Sequence, residues 1–154
     1  MVRASCSEDS LVAHREQLRY LAASIGSEDG MAMAAKLIAT KRGKVLLVRR
    51  CVDGLWMFPA GRRRPGEDDK ECLRREIAEE LPKLKLGRLV LWRKATTKNK
   101  YSSRRMSDAL FIARKASGRL EIGDKKEQDK AVWRKPHRGR LTPTSRYIRD
   151  KLFT

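Results

Sequence analysis

The chain has no apolar run long enough to span a bilayer and no secretory signal, so the sequence by itself predicts a soluble, cytoplasmic protein. Cysteine is scarce. Cys6, Cys51 and Cys72 make an odd number without the paired spacing of a metal site, which leaves them as thiols in a reducing cytosol with no chemistry assigned. Internal repeats and low-complexity tails are absent too, and 154 residues suit one domain with a substantial core. Negative charge is the largest deficit: 19 acidic residues stand against 37 basic ones, a formal charge of +18. Solubility needs far less than that, so the excess predicts a polyanionic partner, whether nucleotide, polyphosphate or nucleic acid.

The few acids are not spread evenly. Between Gly61 and Glu80 the sequence reads Gly-Arg-Arg-Arg-Pro-Gly-Glu-Asp-Asp-Lys-Glu-Cys-Leu-Arg-Arg-Glu-Ile-Ala-Glu-Glu. Pro65 and Gly66 make a turn, Glu67, Asp68 and Asp69 place negative charge at a helix start, and Pro82 cannot continue a helix. The pattern predicts a helix from about Asp68 to Leu81. At roughly 100° per residue, Leu73, Ile77 and Leu81 form an apolar ridge and Glu76, Glu79 and Glu80 an adjacent acidic strip. Carboxylates so close to one another and to a buried ridge repel and lose water, which calls for a cation among them. Converging oxygens suit a hard ion, Mg²⁺ or Mn²⁺. A solvated charged face is the alternative.

Gly61, Glu67, Arg75, Glu76, Ile77, Glu79 and Glu80 together resemble the signature of the MutT-like Nudix hydrolases. Pro82 and Lys83 stand where that signature has glycine and an aliphatic residue, a departure confined to the exit from the helix. Trp56 and Pro59, just ahead of the signature, extend the resemblance. It implies an α+β fold, a Nudix-like α/β/α sandwich with a mixed sheet between helices. It also implies Mg²⁺ or Mn²⁺ held by Gly61 through its carbonyl, by Glu76, Glu79 and Glu80, and by Glu67 as a more distant support. Arg75 would orient a ligand carboxylate, and a glutamate from a later loop, here Glu127, would reach the metal or the attacking water. Glu121, Asp124 and Asp129 are alternatives to Glu127. The general base is open among Glu79, Glu80 and Glu127.

The rest of the chain fits around this unit. Residues 1–30 read as an accessory helix and linker, and residues 31–154 as the hydrolase domain. Strands are expected at Ala32 to Thr40 and Lys44 to Arg50, at Arg88 to Thr97, at Ala109 to Ala113, at Leu120 to Ile122 and around Ala131-Val132-Trp133. Thr142-Pro143 opens a last helix, which Tyr147, Ile148, Leu152 and Phe153 pack onto the sheet. Arg62, Arg63 and Arg64 beside the acidic strip, and Lys98, Tyr101, Arg104 and Arg105 on a polar loop, are candidates for binding substrate phosphates and a base. The expected function is hydrolysis of a diphosphate linkage in a nucleoside polyphosphate or related compound. A catalytically inactive nucleotide- or RNA-binding module on the same scaffold is the alternative.

Overall fold

The structure, a computed structural model, describes residues 32–98 and 105–153. The expected N-terminal helix lies outside these residues, as do Tyr101 and Arg104. The chain forms β1 (Ala32–Lys41), β2 (Lys44–Arg50), β3 (Trp56–Met57), β4 (Ala60–Arg62), α1 (Asp69–Glu80), β5 (Leu84–Leu86), β6 (Leu89–Lys98), β7 (Arg105–Ala113), β8 (Ala116–Gly118), β9 (Gln128–Arg134) and α2 (Pro143–Leu152). β1 is central. It runs parallel to β7 on one side; on the other it pairs antiparallel with β2 at its end and with β4 at its beginning. β6 lies outside β7, and β9 outside β2.

Alternation along the strands sorts side chains between two cores. Ala35, Leu37, Ala39, Leu46, Val48, Ala109, Phe111 and Ala113 face α1, where Cys72, Leu73, Ile77 and Leu81 meet them. Ile38, Val45, Leu47 and Leu110 face the other way, onto Trp56, Phe58, Leu141 and Ile148 of α2. Tyr147, Leu152 and Phe153 pack there as expected, and Trp56 is a core anchor. The mixed sheet between two helices is therefore the expected α+β sandwich. Leu73 has no solvent exposure. Leu73→Ala should cost about 2–5 kcal/mol, read by chemical denaturation, because α1 is held to the sheet by this ridge.

Several boundaries differ from the sequence reading. β6 and β7 run into the expected polar loop, β6 through Lys98 and β7 from Arg105, because paired backbone stabilises polar residues at a hairpin end as readily as apolar ones. No strand forms at Leu120 to Ile122. The strand lies earlier, at Ala116–Gly118, where it pairs with β5. Leu120 and Ile122 pack on the α1-side core without pairing. The β1–β2 turn uses Arg42 and Gly43, both with positive φ (50° and 75°), the geometry of a tight hairpin.

Candidate active site

Asp68 caps α1. Its side chain accepts the Glu71 N–H at 2.7 Å and the Glu71 carboxylate accepts the Asp68 N–H at 3.1 Å, a reciprocal box that fixes where the helix begins. At the other end Leu81 is the cap residue, its N–H donating to the Ile77 carbonyl at 2.8 Å. Pro82 ends the helix without the usual glycine, and the compensation comes from elsewhere in the chain. Gly123 donates its N–H to the Glu80 carbonyl at 2.7 Å, and a Cβ at Gly123 would stand 2.1 Å from the Glu79 carbonyl oxygen. Only glycine can approach so closely. Sequence reasoning missed Gly123; a glycine in the connection before β9 was the one available signal. Gly123→Ala should lower thermal stability by several degrees in a melting experiment, since backbone must move to admit the methyl group.

Gly61 lies in β4 opposite Ala35. Its requirement for glycine is spatial. It does not have positive φ, but a Cβ there would stand 1.8 Å from Glu76 Cγ. The strand and the acidic strip are thus in direct contact.

Arg75 links the loop to the helix. It forms a two-point ion pair with Glu67, donates to Glu76 Oε1 at 2.8 Å and to the Arg62 carbonyl at 2.9 Å, and lies 3.5 Å from Glu79 Oε2. The planar guanidinium suits such a fork. Hydrogen bonds from Arg75 and from the Arg64 N–H pull the Glu67 carboxyl from its ordinary 4.5 down to about 2. Stability from this pair is therefore complete above the ordinary value and is lost as the pH falls toward 2. Arg75 itself is held charged, chiefly by Glu67.

The glutamates behave in the opposite sense. Glu80 is only 5 % exposed, its Oε2 has no hydrogen-bond partner, and burial pushes its carboxyl well above the ordinary value. The fields of Glu76 and Glu127 add to that effect, and a hydrogen bond from the Gln128 side chain opposes it. Burial likewise raises Glu76 against the pull of Arg75. Glu127 is open to solvent on one side yet crowded on the other, and desolvation followed by Asp124, Glu76 and Glu79 raises it. Glu79 is half exposed. The fields of Glu76 and Glu127 thus reach Glu80, those of Glu76 and Glu79 reach Glu127, and one Glu80 oxygen is buried without a donor.

That chemistry fits a hard divalent cation: mutually repelling carboxylates, one of them buried and left unsatisfied. Among the described residues no three His, Cys, Asp or Glu side chains form a preformed metal cluster. Arg75 draws Glu76 and Glu79 toward the Glu67 side instead.

The other candidates are placed as follows. Arg63 donates to the Glu67 carbonyl at 2.6 Å and lies 3.8 Å from Asp69; Arg64, more than half exposed, lies 3.7 Å from Glu79 Oε1. Arg62 contributes its carbonyl to Arg75. Lys98 and Arg105 are paired across the β6–β7 ladder, and Arg105 is exposed. Of the alternatives to Glu127, Asp129 is engaged by Arg49, Asp124 accepts the Lys126 N–H at 3.0 Å, and Glu121 is exposed. Cys51, to which no chemistry was assigned, donates its N–H to the Glu127 carbonyl at 2.9 Å and its thiol to the Lys125 carbonyl at 3.6 Å, so it anchors the turn carrying Glu127. Cys72 is buried in the α1 core, its thiol pushed up to about 11 by desolvation.

The profile described as NUDIX domain matches residues 31–152. The chain belongs to the Nudix family. With that membership comes the reaction class, hydrolysis of phosphoric anhydride bonds. Solved Nudix structures share the fold. A MutT NUDIX hydrolase from Burkholderia pseudomallei superposes with a TM-score of 0.72 at 20 % identity, over 79 % of this chain and 97 % of that one. A NUDIX hydrolase from Nitrosomonas europaea gives 0.66 at 19 % identity, over 79 % and 88 %. The Escherichia coli dihydroneopterin triphosphate pyrophosphohydrolase gives 0.61 at 15 % identity, over 78 % and 93 %. Comparison with curated protein sequences gives no significant match. No helix among the described residues is long and apolar enough to cross a membrane.

Proposed function

We propose that this Nudix protein is a metal-dependent pyrophosphohydrolase that cleaves a diphosphate linkage in a nucleoside polyphosphate or a related phosphorylated compound. The observation that carries this reading is the buried Glu80 carboxylate, whose Oε2 has no partner, on the helix that also presents Glu76 against Gly61 and carries Glu79. Those three side chains and the Gly61 carbonyl would hold Mg²⁺ or Mn²⁺, with Glu67 as outer support. When bound, a divalent cation supplies positive charge to the diphosphate oxygens and acidifies water. Arg75, fixed by Glu67, orients the Glu76 carboxylate and leaves Glu80 to the inner side of the strip. Glu79, Glu80 and Glu127 are the candidates to take a proton from water. Arg64, whose side chain is more exposed than that of Arg63, would be the cation beside the strip to contact phosphate.

A panel of nucleoside diphosphate and triphosphate compounds, assayed with Mg²⁺, Mn²⁺ or EDTA, tests the proposal. Turnover of at least one compound that disappears in EDTA is expected; binding without turnover across the panel would favour an inactive nucleotide-binding module. The named substrate of the Escherichia coli relative, dihydroneopterin triphosphate, makes triphosphates the first class to try. Arg64→Gln should raise KM several-fold for the best substrate with kcat little changed, because a contact outside the reacting bond contributes mainly uniform binding. Steady-state kinetics reads this, and a loss confined to kcat would assign Arg64 a different part.

A further inference from the structure

The ion pairs around Arg63, Arg64 and Arg75 use several cations near the acidic strip, and they leave much of the +18 charge unexplained. From residue 83 to residue 119 the chain carries twelve Lys and Arg and a single acid, Asp108, which is buried. The fold gathers part of this segment at the end of the sheet remote from the acids. Lys41 and Arg42 of the β1–β2 turn, Lys85 of β5, and Arg114 and Lys115 after β7 surround an open groove of about 650 Å³, whose lining includes Leu86, Gly87, Ala116 and Ser117. No carboxylate among the described residues lines it. All five cations are exposed, and none takes part in an ion pair among the described residues. Arg74 reaches in from α1, donating to the Gly87 carbonyl at 3.2 Å.

Five positive charges without a carboxylate partner among the described residues, one of them, Lys41, lying over the Trp133 ring at 5.7 Å, repel each other around one concavity, a cost to the folded protein that a polyanion would relieve. The groove is also separate from the acidic site. Gly61 pairs with Ala35 on β1, and Lys41 is six residues further along the same strand, roughly 20 Å away. That distance exceeds the screening length of about 8 Å at physiological salt, so Lys41 and Arg42 do little for a small substrate bound beside Gly61.

We propose that this groove is a second, non-catalytic site that binds the phosphodiester backbone of a nucleic acid. The cations come from three separate segments lining one open groove of about 650 Å³, more room than a single phosphate group fills, which suits a run of successive phosphates. The surface is concave, which suits a chain and not a flat lipid headgroup layer.

Fluorescence anisotropy with labelled 20-nucleotide single-stranded RNA, its DNA counterpart and the corresponding duplex tests this, using the full chain in EDTA so that hydrolysis plays no part. The variant carries Arg42→Gln, Lys85→Gln, Arg114→Gln and Lys115→Gln; the control, with the same loss of charge, carries Arg138→Gln, Arg140→Gln, Arg146→Gln and Lys151→Gln. At least one nucleic acid should bind, with affinity falling steeply as salt rises. The groove variant should lose about tenfold or more in affinity and flatten the slope of log K against log salt by up to about 3, at 0.7 per single-strand phosphate contact. The control should lose much less. Equal losses in the two variants, absence of binding to every nucleic acid, or binding of inorganic polyphosphate or anionic vesicles in preference to nucleic acid would each overturn the proposal. Metal-dependent hydrolysis of a small diphosphate compound should be unchanged in the groove variant, so failure here is distinguishable from failure of the hydrolase reading.

Discussion

Glu80→Gln is expected to make the metal-free protein more stable while removing most of its turnover. The two effects have one cause. In the absence of a cation, the Glu80 side chain is enclosed at the end of α1, within the fields of Glu76 and Glu127, with one oxygen lacking any donor. Folding must either bury that charge or take up a proton, whereas an amide of the same shape is neutral in both states. Relief of a penalty of this kind is worth about 1–3 kcal/mol, or roughly 2–4 °C of Tm per kcal/mol for a domain of this size. With Mg²⁺ or Mn²⁺ the order reverses. Binding to the native state alone stabilises the wild type, and a neutral amide holds the cation poorly. Outer partners of metal ligands already cost 10–100-fold when removed, so replacing a direct ligand should cost at least about 100-fold in kcat/KM. Thermal melts in EDTA and in millimolar Mg²⁺, together with kinetics on the best substrate from the panel, read both effects. A variant less stable than wild type in EDTA, or one with normal turnover at limiting metal, would remove Glu80 from the proposed site. Glu79→Gln provides the comparison: its side chain is half exposed, so turnover should fall without the gain in stability.

Gly61→Ala is expected to damage fold and function together. The added carbon would stand 1.8 Å from Glu76 Cγ, 2.3 Å from Cδ and 2.7 Å from Cβ, so no rotation of the Glu76 terminus relieves the overlap. Either β4 moves away from its pairing with β1, or Glu76 is turned out of the strip. Overpacking of this kind costs about 1–3 kcal/mol. The position of Glu76 is lost with it, so turnover should fall as far as in Glu76→Gln. The double variant Gly61→Ala with Glu76→Ala separates the two consequences: it should recover part of the lost stability, since the overlaps with Cγ and Cδ go and only that with Cβ at 2.7 Å remains, and none of the activity. Residues in contact couple in such a cycle. If the double variant is as unstable as Gly61→Ala alone, the glycine is needed for a reason other than Glu76.

The sequence was legible where periodicity and end signals agreed. α1 was expected from Asp68 to Leu81, and the helix occupies Asp69–Glu80 with those two residues as its caps, because a carboxylate before the helix, an apolar ridge within it and a proline after it act locally. The strands β1 and β2 and the opening of α2 at Pro143 were legible for similar reasons. The β5–β8 pair was not. Short strands hold by what lies opposite them, and nothing in Leu84–Leu86 announces Ala116–Gly118 as its partner.

The amino-acid order alone determined the family and the acids available for chemistry, because the signature lies within one turn-helix segment whose spacing is set by the helix itself. Only the tertiary structure decided how those acids differ. Glu79 and Glu80 are neighbours in sequence and equal in intrinsic chemistry, yet one is half exposed and the other buried with an unsatisfied oxygen, since desolvation depends on the sheet and the β9 approach packed around the helix end. The same holds for the glycines at 61 and 123, whose necessity comes from side chains and carbonyls that long-range packing brings against them. It holds also for the excess positive charge. Its amount is fixed by composition, but its division between ion pairs at α1 and an uncompensated groove at the far end of β1 arises from which strands lie side by side.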